Sequence, residues 1–147
     1  MLIPSLNKKW DHVFGCQFAP LQIVAYGSFQ CRVSAAAYAE VRLLQEIMGS
    51  QLLYAYRHYP DPFLHPLSLD AAIAAEVAGM QGKFWNMMAQ KVTLDFGSGV
   101  KSGVRKTPAF FINGIRFNER ADFNGLYKAC RYTLLIREAE LKQSTQN

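Results

Sequence analysis

Three cysteines in 147 residues are too few and too scattered for a disulfide framework: Cys16, Cys31 and Cys130 are odd in number and far apart in the chain. Their spacings fit no metal-site pattern, and His12, His58 and His65 are not grouped with them, so no metal is expected. Long apolar runs are also missing. No stretch reaches the ~18 residues of a spanning helix, which argues against a membrane partner. Met1-Leu2-Ile3-Pro4 lacks the basic start and long apolar core of a signal peptide. The expected location is the cytoplasm, or the periplasm if a leader has been removed. Basic tracts are absent too: the net charge is +5, but Lys8-Lys9, Arg42, Lys101, Arg105-Lys106, Arg116, Arg120 and Arg137 stand singly or in pairs. Nucleic acid is therefore not an expected partner. There is no internal repeat or low-complexity tract. The 50% hydrophobic and 18% charged residues describe one globular domain over residues 1–147, with residues 1–20 as an extended lead-in ending at Ala19-Pro20.

The hydrophobic pattern alternates strands with helices. Leu21 to Tyr26 is an apolar run that reads as a strand, and Val33, Ala37, Val41, Leu44 and Met48 then recur at helical spacing up to Gly49-Ser50. Leu52 to Tyr56 reads as a second strand, followed by a loop punctuated by Pro60, Pro62 and Pro66. From Leu67 a second helix is predicted, with Ile73, Val77, Met80, Phe84 and Met87 on its apolar face, glycines at 79 and 82 that can kink it, and a break near 92. Gly97-Ser98-Gly99 and Ser102-Gly103 read as a flexible loop. Ala109 to Ile112 is a buried strand that Asn113-Gly114 turns into Ile115-Arg116-Phe117. Asp122 can cap a last helix with Phe123, Leu126, Tyr127, Cys130 and Leu134 on one face.

Cys31 sits where the first strand hands over to the first helix. Unpaired N–H groups and the positive end of the helix dipole favour a thiolate there, and the thiolate is the reactive form of cysteine. Ser34 lies one turn further on and can donate its hydroxyl to that sulfur. Arg32, with Arg105 and Lys106, can supply a positive field. Cys130, on the apolar stripe of the last helix, reads as core, and Cys16 lies at the far end of a strand from Cys31, too distant for a disulfide. His58 and His65 read as structural, His12 has no assigned role, and the aromatic set Phe84, Trp85, Phe110, Phe111 and Phe117 reads as core.

The segment Tyr26-Gly27-Ser28-Phe29-Gln30-Cys31-Arg32-Val33-Ser34 resembles the active-site turn of the DsbA-like branch of thioredoxin-fold oxidoreductases. Asp11-His12-Val13, Tyr56-Arg57-His58-Tyr59-Pro60, His65-Pro66, Gln81-Gly82-Lys83-Phe84-Trp85 and Thr107-Pro108 through Gly114 match other blocks of that family in order. The resemblance implies an α/β thioredoxin-like fold, a β-α-β-α-β-β-α core whose central mixed sheet is flanked by helices. It also implies a cis peptide bond at Thr107-Pro108 beside the reactive cysteine, with Thr107 and Pro108 placing an extended substrate. The chain departs from the family at Ser28, Arg32, Val33 and Ser34, the last replacing the second cysteine of the motif. Only about twenty residues separate Trp85 from Thr107, so the family's helical insertion is shortened.

Two readings follow. The first is a thiol–disulfide oxidoreductase-like enzyme, related to disulfide isomerases, in which Cys31 and Ser34 form the catalytic pair and Arg32, Thr107 and Pro108 bind substrate. Its partners are protein thiols or disulfides, or glutathione as a co-substrate, with no resident cofactor. The second is a redox-inactive thioredoxin-fold binding or assembly module, with a homodimer as one form. A glutathione-transferase relative is a weaker third, since those enzymes place serine where Cys31 stands.

Overall fold

The computed structural model describes residues 1–7, 9–79 and 95–144. The Gln81 to Trp85 block, the expected helical continuation through Met87, the Gly82 kink and the break near 92 lie outside the described residues.

The chain runs β1 (His12–Gly15), β2 (Leu21–Gly27), α1 (Arg32–Met48), a 3-10 turn (Gly49–Gln51), β3 (Leu52–His58), α2 (Ser68–Gly79), α3 (described over 95–101), β4 (Ala109–Ile112), β5 (Ile115–Phe117) and α4 (Phe123–Ser144). The five strands form one mixed sheet in the order β1-β3-β2-β4-β5. Only β2 and β3 pair in parallel, joined by the α1 crossover; the other pairs are antiparallel. The architecture is α/β, the class expected from the sequence.

Alternation along β2 divides the core between the two sheet faces. Leu21, Ile23 and Ala25 pack with Ala37, Val41, Leu44 and Met48 of α1 and Leu126, Cys130 and Leu134 of α4. Val24 and Tyr26 face the other way, toward Leu2, Tyr59, Val104, Ala109 and Phe111. Asn113 (φ 46°) and Gly114 (φ 80°) make the tight turn between β4 and β5, the left-handed backbone that these two residue types tolerate best. Asp122 caps α4, its Oδ1 accepting from Gly125 N–H at 2.9 Å.

Four local expectations are corrected. The lead-in is not simply extended: His12–Gly15 adds an edge strand antiparallel to β3, too short and too exposed to show an alternating pattern. The glycine- and serine-rich stretch expected as a loop is helical over 95–101. Buried Ser98 donates its hydroxyl to the Asp95 carbonyl at 2.8 Å and also meets the Tyr26 hydroxyl at 2.7 Å. A Cβ on Gly99 would stand 2.5 Å from the Tyr59 ring, so glycine serves packing there rather than flexibility. In α1, Val33 is 63% exposed and Ser34 takes its place on the buried stripe. In α2 the buried stripe is Ser68, Ala72 and Glu76, whereas Ile73 and Val77 are half-buried. A polar stripe facing inward is invisible to a count of apolar periodicity.

Candidate functional site

Cys31 is the N-cap of α1, with extended backbone at φ −87° and ψ 111°. Its carbonyl accepts from Ala35 N–H at 3.1 Å and its own N–H donates to the Ser28 carbonyl at 3.0 Å, which fixes the turn on both sides. The first-turn amides of Val33 and Ser34 have no carbonyl partner within the helix. The neutral thiol makes no side-chain cap bond. The ionised sulfur, by contrast, is stabilised from several directions. Burial works against the thiolate, but hydrogen bonds from the Ser34 hydroxyl and amide, the Thr107 hydroxyl and the Val33 amide outweigh it, and the thiol's pKa falls below its ordinary 9.0. Neutral donors, not the exposed Arg32, are the causes. The Ser34 hydroxyl oxygen also accepts from Ser28 N–H at 3.4 Å, which leaves its own hydrogen available to the sulfur.

Thr107 and Pro108, half-buried at the entry to β4, come from a segment more than seventy residues away, and the peptide bond between them is cis. The structure thus brings Ser34 and Thr107 to Cys31 as donors to its ionised sulfur, with Pro108 next to Thr107. Arg32, Arg105 and Lys106 are exposed. Cys31 itself is only 8% exposed, so the thiol is held within the turn rather than displayed on the surface. Cys130 is fully buried and desolvation pushes its pKa up to about 12, which suits the core role expected for it. All three cysteines are free.

Beside the turn lies a cavity of about 500 Å³. Ser28, Phe29, Ser34 and Tyr38 form the α1 side, Phe14, Tyr54 and Tyr56 the sheet side, and His12, His58 and Ala75 the far wall. Burial, Asp95 and Cys31 together raise the Tyr56 phenol pKa, so that ring stays a neutral donor within electrostatic reach of the sulfur. The far wall holds a group of which only His58 had an expected role, a structural one. His12 Nε2 and His58 Nε2 approach the same oxygen, Glu76 Oε1, at 2.6 and 2.7 Å. Burial opposes ionisation of Glu76, but the two imidazoles overcome it and hold the carboxyl well below the usual range. The three residues are separated by 46 and 18 positions in sequence and meet only because β1 pairs with β3 under α2. No motif spacing could have revealed them.

No protein-family model matches the chain. The solved structure of alpha-DsbA1 from Wolbachia pipientis superposes with a TM-score of 0.74 over 93% of this chain and 97% of that one, at 15% identity. The thiol-disulfide exchange protein alpha-DsbA2 of the same organism gives 0.68 over 82% and 85%, at 17% identity. The fold is thioredoxin-like. These structural neighbours are DsbA-like proteins, and the likeness extends to the fold. Among curated proteins, the Na(+)/H(+) antiporter NhaA 1 of Mycolicibacterium vanbaalenii is 44% identical over 86 residues, 58% of this chain and 14% of its own length. The NhaA antiporter of Herminiimonas arsenicoxydans aligns with 99% of this chain and 28% of its own length at 27% identity. That alignment runs over 184 positions against 147 residues here, so the relative carries additional residues within the matched span. The chain therefore spans a small part of these antiporters. Among the described residues no helix is long and apolar enough to cross a membrane.

Proposed function

We propose that this protein carries out thiol–disulfide exchange through Cys31 alone. The observation that carries the reading is the place of Cys31 as the N-cap of α1, with Ser34, Val33 and Thr107 as donors that lower its pKa despite burial and a cis bond at Thr107-Pro108. The thiolate attacks one sulfur of a substrate disulfide, forms a mixed disulfide with it and expels the other sulfur as a thiolate. Ser34 has no sulfur with which to attack that adduct. An external thiol, glutathione or a protein cysteine, attacks it instead, leaves with the substrate sulfur as a new disulfide and returns Cys31 as thiolate. Thr107 and Pro108 border the attacking sulfur and position the incoming chain. Sodium–proton exchange is not proposed for a chain that spans so little of the antiporters it matches.

Intact mass measured after oxidised glutathione, and again after reduced glutathione, tests the cycle. One glutathione is expected on Cys31 and is then released, and Cys31→Ser is expected to abolish both the adduct and disulfide reductase turnover. Turnover that survives in Cys31→Ser overturns the mechanism.

A second reading, a redox-inactive assembly module, draws on one observation. Phe63, Leu64 and Leu67, between β3 and α2, are 97%, 72% and 59% exposed, large apolar side chains that a second copy of the chain would bury. Sedimentation at micromolar concentration distinguishes the readings: a dimer with an unreactive Cys31 supports the module, and a monomer with a reactive one the enzyme.

A further inference from the structure

We infer that His12, His58 and Glu76 form a binding site for a divalent transition-metal ion, Zn²⁺ in the first instance, with one coordination position open to the adjoining cavity. Three donor atoms from β1, β3 and α2 lie within 4.8 Å of one another. The two imidazole rings stand at 85° with centroids 6.2 Å apart, so both Nε2 atoms point at one spot, Glu76 Oε1, from nearly perpendicular planes. Two nitrogens and one carboxylate oxygen, with a fourth position left open, make the donor set of zinc sites that also bind water or a small ligand.

The charge also suits a cation. Glu76 is 2% exposed, and its buried carboxylate is met by imidazole N–H groups that are neutral unless protonated. A divalent ion would take the two Nε2 lone pairs, each neutral ring carrying its proton on Nδ1 instead, and would offset the charge of the buried carboxylate. Bonds of ~2.1 Å in tetrahedral array place neighbouring donors roughly 3.4 Å apart, so the present 2.6 and 2.7 Å separations need to widen by less than ~1 Å. His12 can move that far because its side chain is 49% exposed, whereas His58 and Glu76 form the fixed floor.

The inference is independent of the thiol chemistry, and the test keeps the two apart. Full-length protein stripped with chelator is titrated with Zn²⁺ against a chromophoric competitor, and Co²⁺ is used as a spectroscopic probe. One ion per chain is expected, with tetrahedral d–d bands and no thiolate-to-cobalt charge-transfer band. A variant combining Cys16→Ser and Cys31→Ser should bind unchanged. His12→Gln, at a half-exposed position and with its fold checked by circular dichroism, should weaken binding by more than the ~10–100-fold typical of losing a mere supporting residue. Glu76→Gln should do the same if it folds, and His12→Gln decides the question if it does not. No retained ion, binding that follows the cysteines, or an affinity unaltered in His12→Gln overturns the assignment.

Discussion

Arg57 and Asp11 face each other as a buried bidentate pair, Nε to Oδ1 and Nη2 to Oδ2, each at 2.9 Å. The remaining guanidinium hydrogens reach the Pro4 carbonyl, the Ser5 carbonyl and the Tyr26 hydroxyl, so all five donors are engaged. Through Tyr26 the network continues to Ser98 of α3. One side chain on β3 thus ties the N-terminal segment and α3 to the same face of the sheet. Removing either partner strands the other charge, so Asp11→Ala and Arg57→Leu should each destabilise the protein by ~3–5 kcal/mol. The double variant should lose clearly less than the sum. Urea unfolding of the three variants checks this, and additive losses would show that the pair is not coupled.

The reactivity of Cys31 should depend on neutral donors rather than on nearby charge. A hydrogen bond to a charged group contributes about 1.5–3 kcal/mol, and 1.36 kcal/mol corresponds to about one pH unit. Ser34→Ala and Thr107→Val should therefore each raise the midpoint of the iodoacetamide rate against pH by roughly one unit. Arg32→Gln should move it far less. A midpoint that follows Arg32 and ignores Ser34 would reverse this account.

Replacing the missing sulfur should restore a dithiol. Position 34 lies one turn after Cys31 on the buried stripe of α1, and its side chain already reaches the sulfur as a hydrogen-bond donor. Ser34→Cys should form an internal disulfide under mild oxidation, read as the loss of two hydrogens by mass and of two alkylatable thiols. Persistence of both thiols would show that the turn cannot bring them together.

Gly99 shows how a residue type can mislead in sequence and inform in structure. Its missing side chain admits the Tyr59 ring, so Gly99→Ala should cost ~1–3 kcal/mol by overpacking even though alanine is the better helix former. Gly97-Ser98-Gly99 reads as a loop because local propensity says so, and the helix exists because of contacts with Tyr26 and Tyr59 that no local rule contains. The same divide runs through the whole chain. Strands β2 to β5 and helices α1 and α4 were legible because apolar period and turn chemistry agree in them, and Asn113-Gly114 marks its own turn. Cys31 was legible from the strand-to-helix turn it occupies, and Thr107-Pro108 only as a block of a resemblance. Glu76 was not legible, because it is a buried carboxylate on a helix whose large apolar residues, Ile73 and Val77, lie off the buried stripe. Its partners come from two strands whose pairing depends on the unrecognised β1.

Two cysteines should bend the stability curve in opposite directions as pH rises. The folded-state pKa of Cys31 lies below 9.0, so between that lowered value and 9.0 the folded protein has released a proton that the unfolded chain still holds. The unfolded state then binds more protons, and stability rises with pH. For Cys130 the order is inverted: above 9.0 the unfolded thiol ionises while the folded one stays protonated to about 12, and stability falls by ~1.4 kcal/mol per pH unit. Urea unfolding from pH 6 to 10, compared between the native protein and Cys31→Ser, separates the two because every other group cancels in the difference. The variant should lose the rise below pH 9 and keep the fall above it. A rise of the same size in both proteins would mean that Cys31 is no more acidic folded than unfolded, and the exchange chemistry assigned to it would lose its physical basis.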